Sequence, residues 1–167
     1  MNDTQESCQH LWKLIKDIKF AMFTTRHGNG QLHSRPMTTQ NKEIDEDESL
    51  WFFMWRTGGP VEDLTADGTV NVAYSDPDSD TYVSVSGTAS VVEDQARKNH
   101  FWNKGTEAWF PKGPTDPELA LVRVNIVHAH YWDVKESKLV QLYERAKARL
   151  TGTPPTDLGE QGEVRIR

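Results

Sequence analysis

The chain has 167 residues, with 19 Lys+Arg against 25 Asp+Glu and a formal net charge of −6. One domain of about 100–200 residues is the default for this length, and the acidic balance argues against a nucleic-acid or anionic-membrane partner. No apolar run approaches the roughly 18 residues of a spanning helix, and the sole cysteine, Cys8, excludes a disulfide framework or a multi-cysteine zinc site within one chain.

The polar, acidic start Met1–Glu6 is unlike a secretory signal, so a cytoplasmic protein is expected. Six Trp, six Phe and four Tyr, with 11 Gly and 8 Pro, favour short strands and turns over a helical bundle. A first helix is predicted from Cys8 to Asp17, with Leu11, Leu14, Ile15 and Ile18 at helical spacing and Asp3 with Glu6 as a capping pair. Lys19–Arg26 reads as a strand. His27-Gly28-Asn29-Gly30 reads as a hairpin turn, because its residues tolerate positive φ. The return strand spans Gln31–Gln40. Pro36 lacks an N–H to donate, so this strand is expected at an edge.

Asn41–Glu48 is a solvated acidic loop. Leu50–Arg56 is apolar on both faces and is expected to be a central strand. Pro60–Ala66 is expected to be a short helix, since proline suits a first turn, with Gly68 as its C-cap. Thr69–Ser75 and Thr81–Val92 are strands around an Asp- and Pro-rich turn, and Asp94–Trp102 is a helix. Trp109 to Pro114 is a loop with two exposed aromatics, Trp109 and Phe110. Leu119–Val134 is a long strand with Ala120, Val122, Val124, Ile126, His128, His130, Trp132 and Val134 on one face. Ser137 caps a last helix with Leu139, Leu142, Tyr143, Ala146 and Leu150 inward. Residues 1–150 form the domain, and 151–167 read as a Pro/Gly-rich tail. The fold class is mainly β with flanking helices. Six twisted strands close economically into a small barrel, because closure removes exposed edges.

Several segments carry candidate chemistry. His33, Arg35 and Met37 share one face of the second strand, and the Arg35 fork suits a phosphate. Arg56-Thr57-Gly58-Gly59-Pro60 leads a strand into a helix start, whose free N–H groups attract anions. His128 and His130, at i and i+2, read as hydrogen-bonded histidines in preference to metal ligands. A metal would need a third ligand from elsewhere, such as His33 or His100. Cys8, beside Leu11 and Trp12, reads as a small core residue. No general acid or base is evident, and His33 is the first titratable group to test, because an imidazole can change charge near neutral pH.

Together Phe23-Thr24-Thr25, His33-Ser34-Arg35-Pro36-Met37, Leu50-Trp51-Phe52-Phe53 ahead of Val61-Glu62, Val85-Ser86-Gly87-Thr88-Ala89, Trp109-Phe110-Pro111-Lys112-Gly113-Pro114 and Ala129-His130-Tyr131-Trp132-Asp133 resemble the FMN-binding split-barrel proteins. The branch they resemble most is the general stress proteins of the pyridoxamine 5′-phosphate oxidase-like group, over residues 8–150. The resemblance implies a six-stranded split β-barrel pairing into a homodimer, with FMN sites at the interface. It implies that Ser34, Arg35, Pro36 and Met37 line the FMN, with Arg35 on the phosphate. It places Phe53, Met54 and Trp55 beside the ribityl chain and ring, while Arg56, Thr57 or the bare N–H groups of the turn are read from the residues themselves as candidate phosphate partners. It brings Trp109 and Trp132 from the partner subunit. One departure stands out: the family's helix after the third strand opens with a phosphate-binding lysine, and here Pro60 takes that place. The activity implied is flavin-dependent oxidoreduction. Alternatives are a non-catalytic flavin carrier or sensor, or the same barrel holding haem, a deazaflavin or a metal on His128 and His130.

Overall fold

The computed structural model of the chain describes residues 3–44, 48–133, 138–154 and 160–166. Helix α1 (Asp3–Ile15) is followed by β1 (Ala21–Arg26), β2 (Leu32–Met37), β3 (Ser49–Trp55), α2 (Gly59–Ala66), β4 (Thr69–Asp76) and β5 (Thr81–Val92). The chain continues through α3 (Gln95–Phe101), α4 (Lys104–Trp109), β6 (Leu119–Asp133), α5 (Lys138–Thr151) and β7 (Glu160–Arg165). The strands form one antiparallel sheet in the order β2-β1-β4-β5-β6-β3, with β7 added on β6. No helix among the described residues is long and apolar enough to cross a membrane.

Alternation drives the sheet. Phe23 on β1, Val72 on β4, Val85 on β5 and Val122 and Val124 on β6 are fully buried on one face. Cys8, Leu11 and Ile15 of α1 pack onto that core, as do Val61 and Leu64 of α2. Each such large side chain contributes roughly 1.5–3 kcal/mol by leaving water. The first helix begins five residues upstream of Cys8, because polar residues ahead of the apolar stripe still extend the hydrogen-bonded turns.

β3 departs from the sequence expectation. Both of its faces are buried, as its composition requires, yet it ends the strand order instead of lying inside it. Leu50, Phe52 and Met54 enter the main core. Trp51 and Phe53 enter a second cluster with Phe101, Phe110, Leu119 and Leu121. The segment after β2 covers part of the outer edge. Gln40 N–H donates to Trp51 O at 2.8 Å, and Trp51 N–H donates to Asn41 Oδ1 at 2.8 Å. The two ends of the sheet are thereby drawn towards each other.

A bulge governs β6. Ser86 opposes His128 and Gly87 opposes Ile126, which leaves Val127 as the extra residue. A Cβ on Gly87 would lie 2.4 Å from Asn125 O, so only glycine permits this approach. The bulge inverts the alternation. Ala129 and Tyr131 enter the core, while His128, His130 and Trp132 turn outward, away from the face of Ala120–Ile126 where their spacing had placed them. Val134 lies outside the described residues.

Other corrections are local. Gly68 is no C-cap: Asp67 holds that position, and a Cβ on Gly68 would meet Ala89 O at 2.9 Å. Phe110 is buried against Phe53 and Trp55, because the preceding segment coils into α4 with Asn103 as its N-cap. Trp109 is exposed, as expected. The tail supplies β7, which pairs with the β6 edge beyond the bulge. On α5, Tyr143, Ala146 and Leu150 are exposed within one chain, contrary to the inward face expected of them. The Ser137 cap and the side chains of Leu139 and Leu142 lie outside the described residues.

Candidate functional site

Among the described residues β2 pairs only with β1, so it is the edge strand that Pro36 implied. His33, Arg35 and Met37 are half-buried on one face, while Ser34 and Pro36 are exposed on the other. Ser34 Oγ lies 2.6 Å from Thr24 Oγ1, and Met37 packs on the main core. The four predicted cofactor residues of this strand therefore divide between two faces.

Arg35 sits in a charged network that runs inward. Its Nη1 donates to Thr25 Oγ1 at 2.6 Å, and Thr25 Oγ1 donates to Asp63 Oδ2 at 2.8 Å. Arg35 Nη2 lies 3.8 Å from the same oxygen. Asp63 Oδ1 accepts from His27 Nδ1 at 2.8 Å. The His27 and His33 rings stack with centroids 5.0 Å apart. Thr25 is fully buried and Asp63 nearly so, and a carboxylate at such depth requires partners of this kind. The bond from His27, then that from Thr25, hold Asp63 below its ordinary carboxylate range, with Arg35 adding to the effect. Burial lowers the Arg35 pKa from its ordinary value, and Asp63 opposes that shift.

Asp63 belongs to α2, so the network ties β1 and β2 to the helix that follows the Gly-rich turn. Gly58 is the N-cap and offers no side chain, so the first-turn N–H groups take no side-chain cap. Sequence reasoning missed Thr25, His27 and Asp63 as a unit. Helical spacing puts Val61 and Leu64 on one stripe and Asp63 off it, so the sequence carried no signal that this carboxylate is buried.

The remaining predicted residues scatter. Phe53 and Met54 are buried, in the second cluster and the main core respectively, so neither side chain is presented outward. Trp51 turns its N–H and C=O away from β6, and period-2 pairing gives the main chain of Phe53 the same outward direction. Trp55 is exposed and leans on Phe110, with centroids 4.7 Å apart. Arg56 makes a two-point contact with Glu93 and donates from Nε to Pro117 O at 2.9 Å. That hydrogen bond to Glu93 raises its pKa. Arg56 is thus committed away from the turn it was expected to serve, and Thr57 is exposed. Trp132 is exposed and stacks on His130 at 5.1 Å. A cleft of about 340 Å³ opens on the outer face among Thr24, Asn71, Ser86, Thr88 and Val127, and none of the predicted cofactor residues lines it.

A sequence model of the family described as pyridoxamine 5′-phosphate oxidase like matches residues 6–156. The chain belongs to this family. It is 33% identical to Protein bli-3 of Neurospora crassa over 150 residues, 83% of this chain and 70% of that protein. A general stress FMN/FAD binding protein of Xanthomonas citri is 31% identical at a TM-score of 0.66, covering 80% of this chain and 93% of that one. A structure described as general stress protein 26 from Jannaschia sp. CCS1 superimposes at a TM-score of 0.75 with 24% identity, over 97% and 99% of the two chains. At that identity it speaks for the fold alone. The architecture is that of the FMN-binding split-barrel proteins, mainly antiparallel sheet with a few helices. Within this oxidase-like family, Pro60 at the start of α2 leaves the first turn without the lysine that the resemblance calls for.

Proposed function

We propose that the chain binds FMN non-covalently as a homodimer, in the cytoplasm, with one flavin site at each end of the interface. The observation that carries this reading is Arg35. It lies on an edge strand that carries Pro36 and is held in place by Thr25 of β1 and Asp63 of α2. Arg35 and the uncapped N–H groups of α2 are suited to the phosphate. Ser34, Pro36 and Met37, whose side chains divide between two faces, would reach the ribityl chain and ring through the main chain of the β2 edge, with the outward main chain of Phe53 and the edge of Trp55. Exposed Trp109 and Trp132 would reach the partner's flavin. The bound flavin would supply two-electron redox chemistry, and the protein's part is to position a reductant or substrate and exclude water. The Xanthomonas citri relative, described as FMN/FAD binding, supports the cofactor assignment.

Titration of the purified chain with FMN, followed by flavin fluorescence, tests the proposal. Arg35→Ala is expected to weaken binding about tenfold or more, the loss of a charged hydrogen bond. No uptake at tens of micromolar FMN would refute it. Sedimentation of the loaded protein as a monomer would refute the paired arrangement. A second reading is flavin binding without turnover. The pairing of Arg35 with Asp63 and the proline at position 60 both favour it, since each weakens the grip on a phosphate. Bleaching of the bound flavin by NADH or NADPH separates the enzyme from the carrier, and a Soret band would point to haem instead.

A further inference from the structure

The sequence placed His128 and His130 on one strand face and left them without a third partner. The structure supplies one. β7 lies against β6 with His130 opposite Glu163 in the register, and Glu163 Oε1 is in direct contact with His128 Nε2. We propose that His128, His130 and Glu163 form a site for a divalent transition-metal ion of the zinc or cobalt type, bridging β6 and β7 on the outer face of the sheet.

The geometry suits an ion of this class. Each residue offers a ligand atom, and the three atoms lie within 4.8 Å of one another. An ion with ligand distances of about 2.0–2.2 Å in tetrahedral coordination spaces its ligands roughly 3.3 Å apart. The His128–Glu163 contact opens and the wider separations close to reach that spacing, through rotation of these partly exposed side chains. The two imidazoles are 5.5 Å apart by centroid and inclined by 73°, so they approach a common point from different directions. Two nitrogens and one carboxylate oxygen form a borderline ligand set that favours zinc, cobalt, nickel or copper over calcium or magnesium. All three residues are partly exposed, which leaves an entry path and a coordination position for water.

The surroundings orient the ligands. The Trp132 ring stacks on His130, and Arg165 Nε donates to Glu163 Oε1 at 3.2 Å. The Trp132 stacking remains when an ion binds and holds the direction of His130, whereas the Arg165 cation must first leave Glu163. Arg165 is 78% exposed, so it swings into solvent when a cation arrives.

The other triad of this composition, His27, His33 and Asp63, is a poorer candidate. Both Asp63 oxygens are engaged by Thr25 and His27, and the Arg35 guanidinium stands 3.8 Å away, where it would repel a cation. None of the three β6–β7 ligands is placed at the flavin, although Trp132 borders both sites.

The test is titration of the full chain with Co2+ and with Zn2+. Co2+ should produce a visible d–d band that saturates at a single ion per chain, and Zn2+ should bind more tightly than about 100 µM. His128→Ala and Glu163→Gln should each weaken Zn2+ about tenfold or more, whereas His33→Ala should leave it unchanged. Because the ion spans two strands, Zn2+ should also slow hydrogen exchange at Gly162–Arg165 in the unsubstituted chain and not in Glu163→Gln. Circular dichroism establishes that the variants are folded. Zn2+ affinity that is unchanged in both β6–β7 variants, or lost equally in His33→Ala, would overturn the proposal.

Discussion

Thr25→Val isolates the hydroxyl that links Arg35 to Asp63. Valine has nearly the same shape, so packing at this fully buried position is retained. Two bonds are lost: the one accepted from Arg35 at 2.6 Å and the one donated to Asp63 at 2.8 Å. A hydrogen bond to a charged group contributes about 1.5–3 kcal/mol, so the full loss approaches about 3–6 kcal/mol. Two effects reduce it. The Arg35 side chain is 21% exposed and recruits water, and its Nη2, already 3.8 Å from Asp63, closes on the carboxylate directly. The expected destabilisation is therefore about 2–4 kcal/mol. For a domain of this size that corresponds to a fall in Tm of roughly 5–15 °C. Urea unfolding and calorimetry measure it. Thr24→Val is the matched control: the neighbouring residue faces the other way and bonds only the exposed Ser34, so about 0.5 kcal/mol or less is expected. Equal stabilities for the two variants would refute the idea that Thr25 holds a charged network together.

Three further outcomes follow from the same geometry. Asp63 has a folded pKa below its ordinary 3.8, so it adds stability above that value, and the contribution is lost as pH falls through the lowered one. Unfolding free energy measured against pH should fall more steeply in acid for the unsubstituted chain than for Asp63→Asn, and parallel curves would contradict the assignment. Gly87→Ala should cost about 1–3 kcal/mol in urea unfolding, because its Cβ meets backbone at the bulge. Gly28→Ala, with nothing within 4 Å, should cost about 0.5 kcal/mol or less. Pro60→Lys restores a cation to the first turn of α2 and should tighten FMN by about 5- to 150-fold, the equivalent of 1–3 kcal/mol. An unchanged fluorescence titration would show that this turn does not meet the phosphate.

Local chemistry made much of the molecule legible in advance. Alternation in Thr81–Val92 marked β5 to the residue, because a half-buried strand must repeat with period two. Gly-Gly-Pro marked the start of α2, since glycine leaves the strand and proline is already set for a helical turn. Pro36 marked β2 as an edge, because it cannot donate to a second neighbour. The motif around Arg35 also marked the family.

Long-range contacts decided the rest. The alternation of β6 reads as continuous from Ala120 to Trp132, and only its pairing with Gly87 reveals the extra residue that turns His128, His130 and Trp132 outward. β3 looks central because both of its faces are buried. Its neighbours are settled by hydrogen bonding at its edges, about which side-chain polarity carries no information. β7 follows a Pro/Gly-rich segment, and it acquires strand structure by pairing with an available edge of β6. Asp63 lies 38 residues from Thr25 and shows its role only when α2 folds over β1. Local sequence thus determined by itself where β1 to β6 and α2 form, because those depend on neighbours in the chain. Which side chains share a site was decided by tertiary structure, because one inserted residue in a strand reverses the direction of every side chain beyond it.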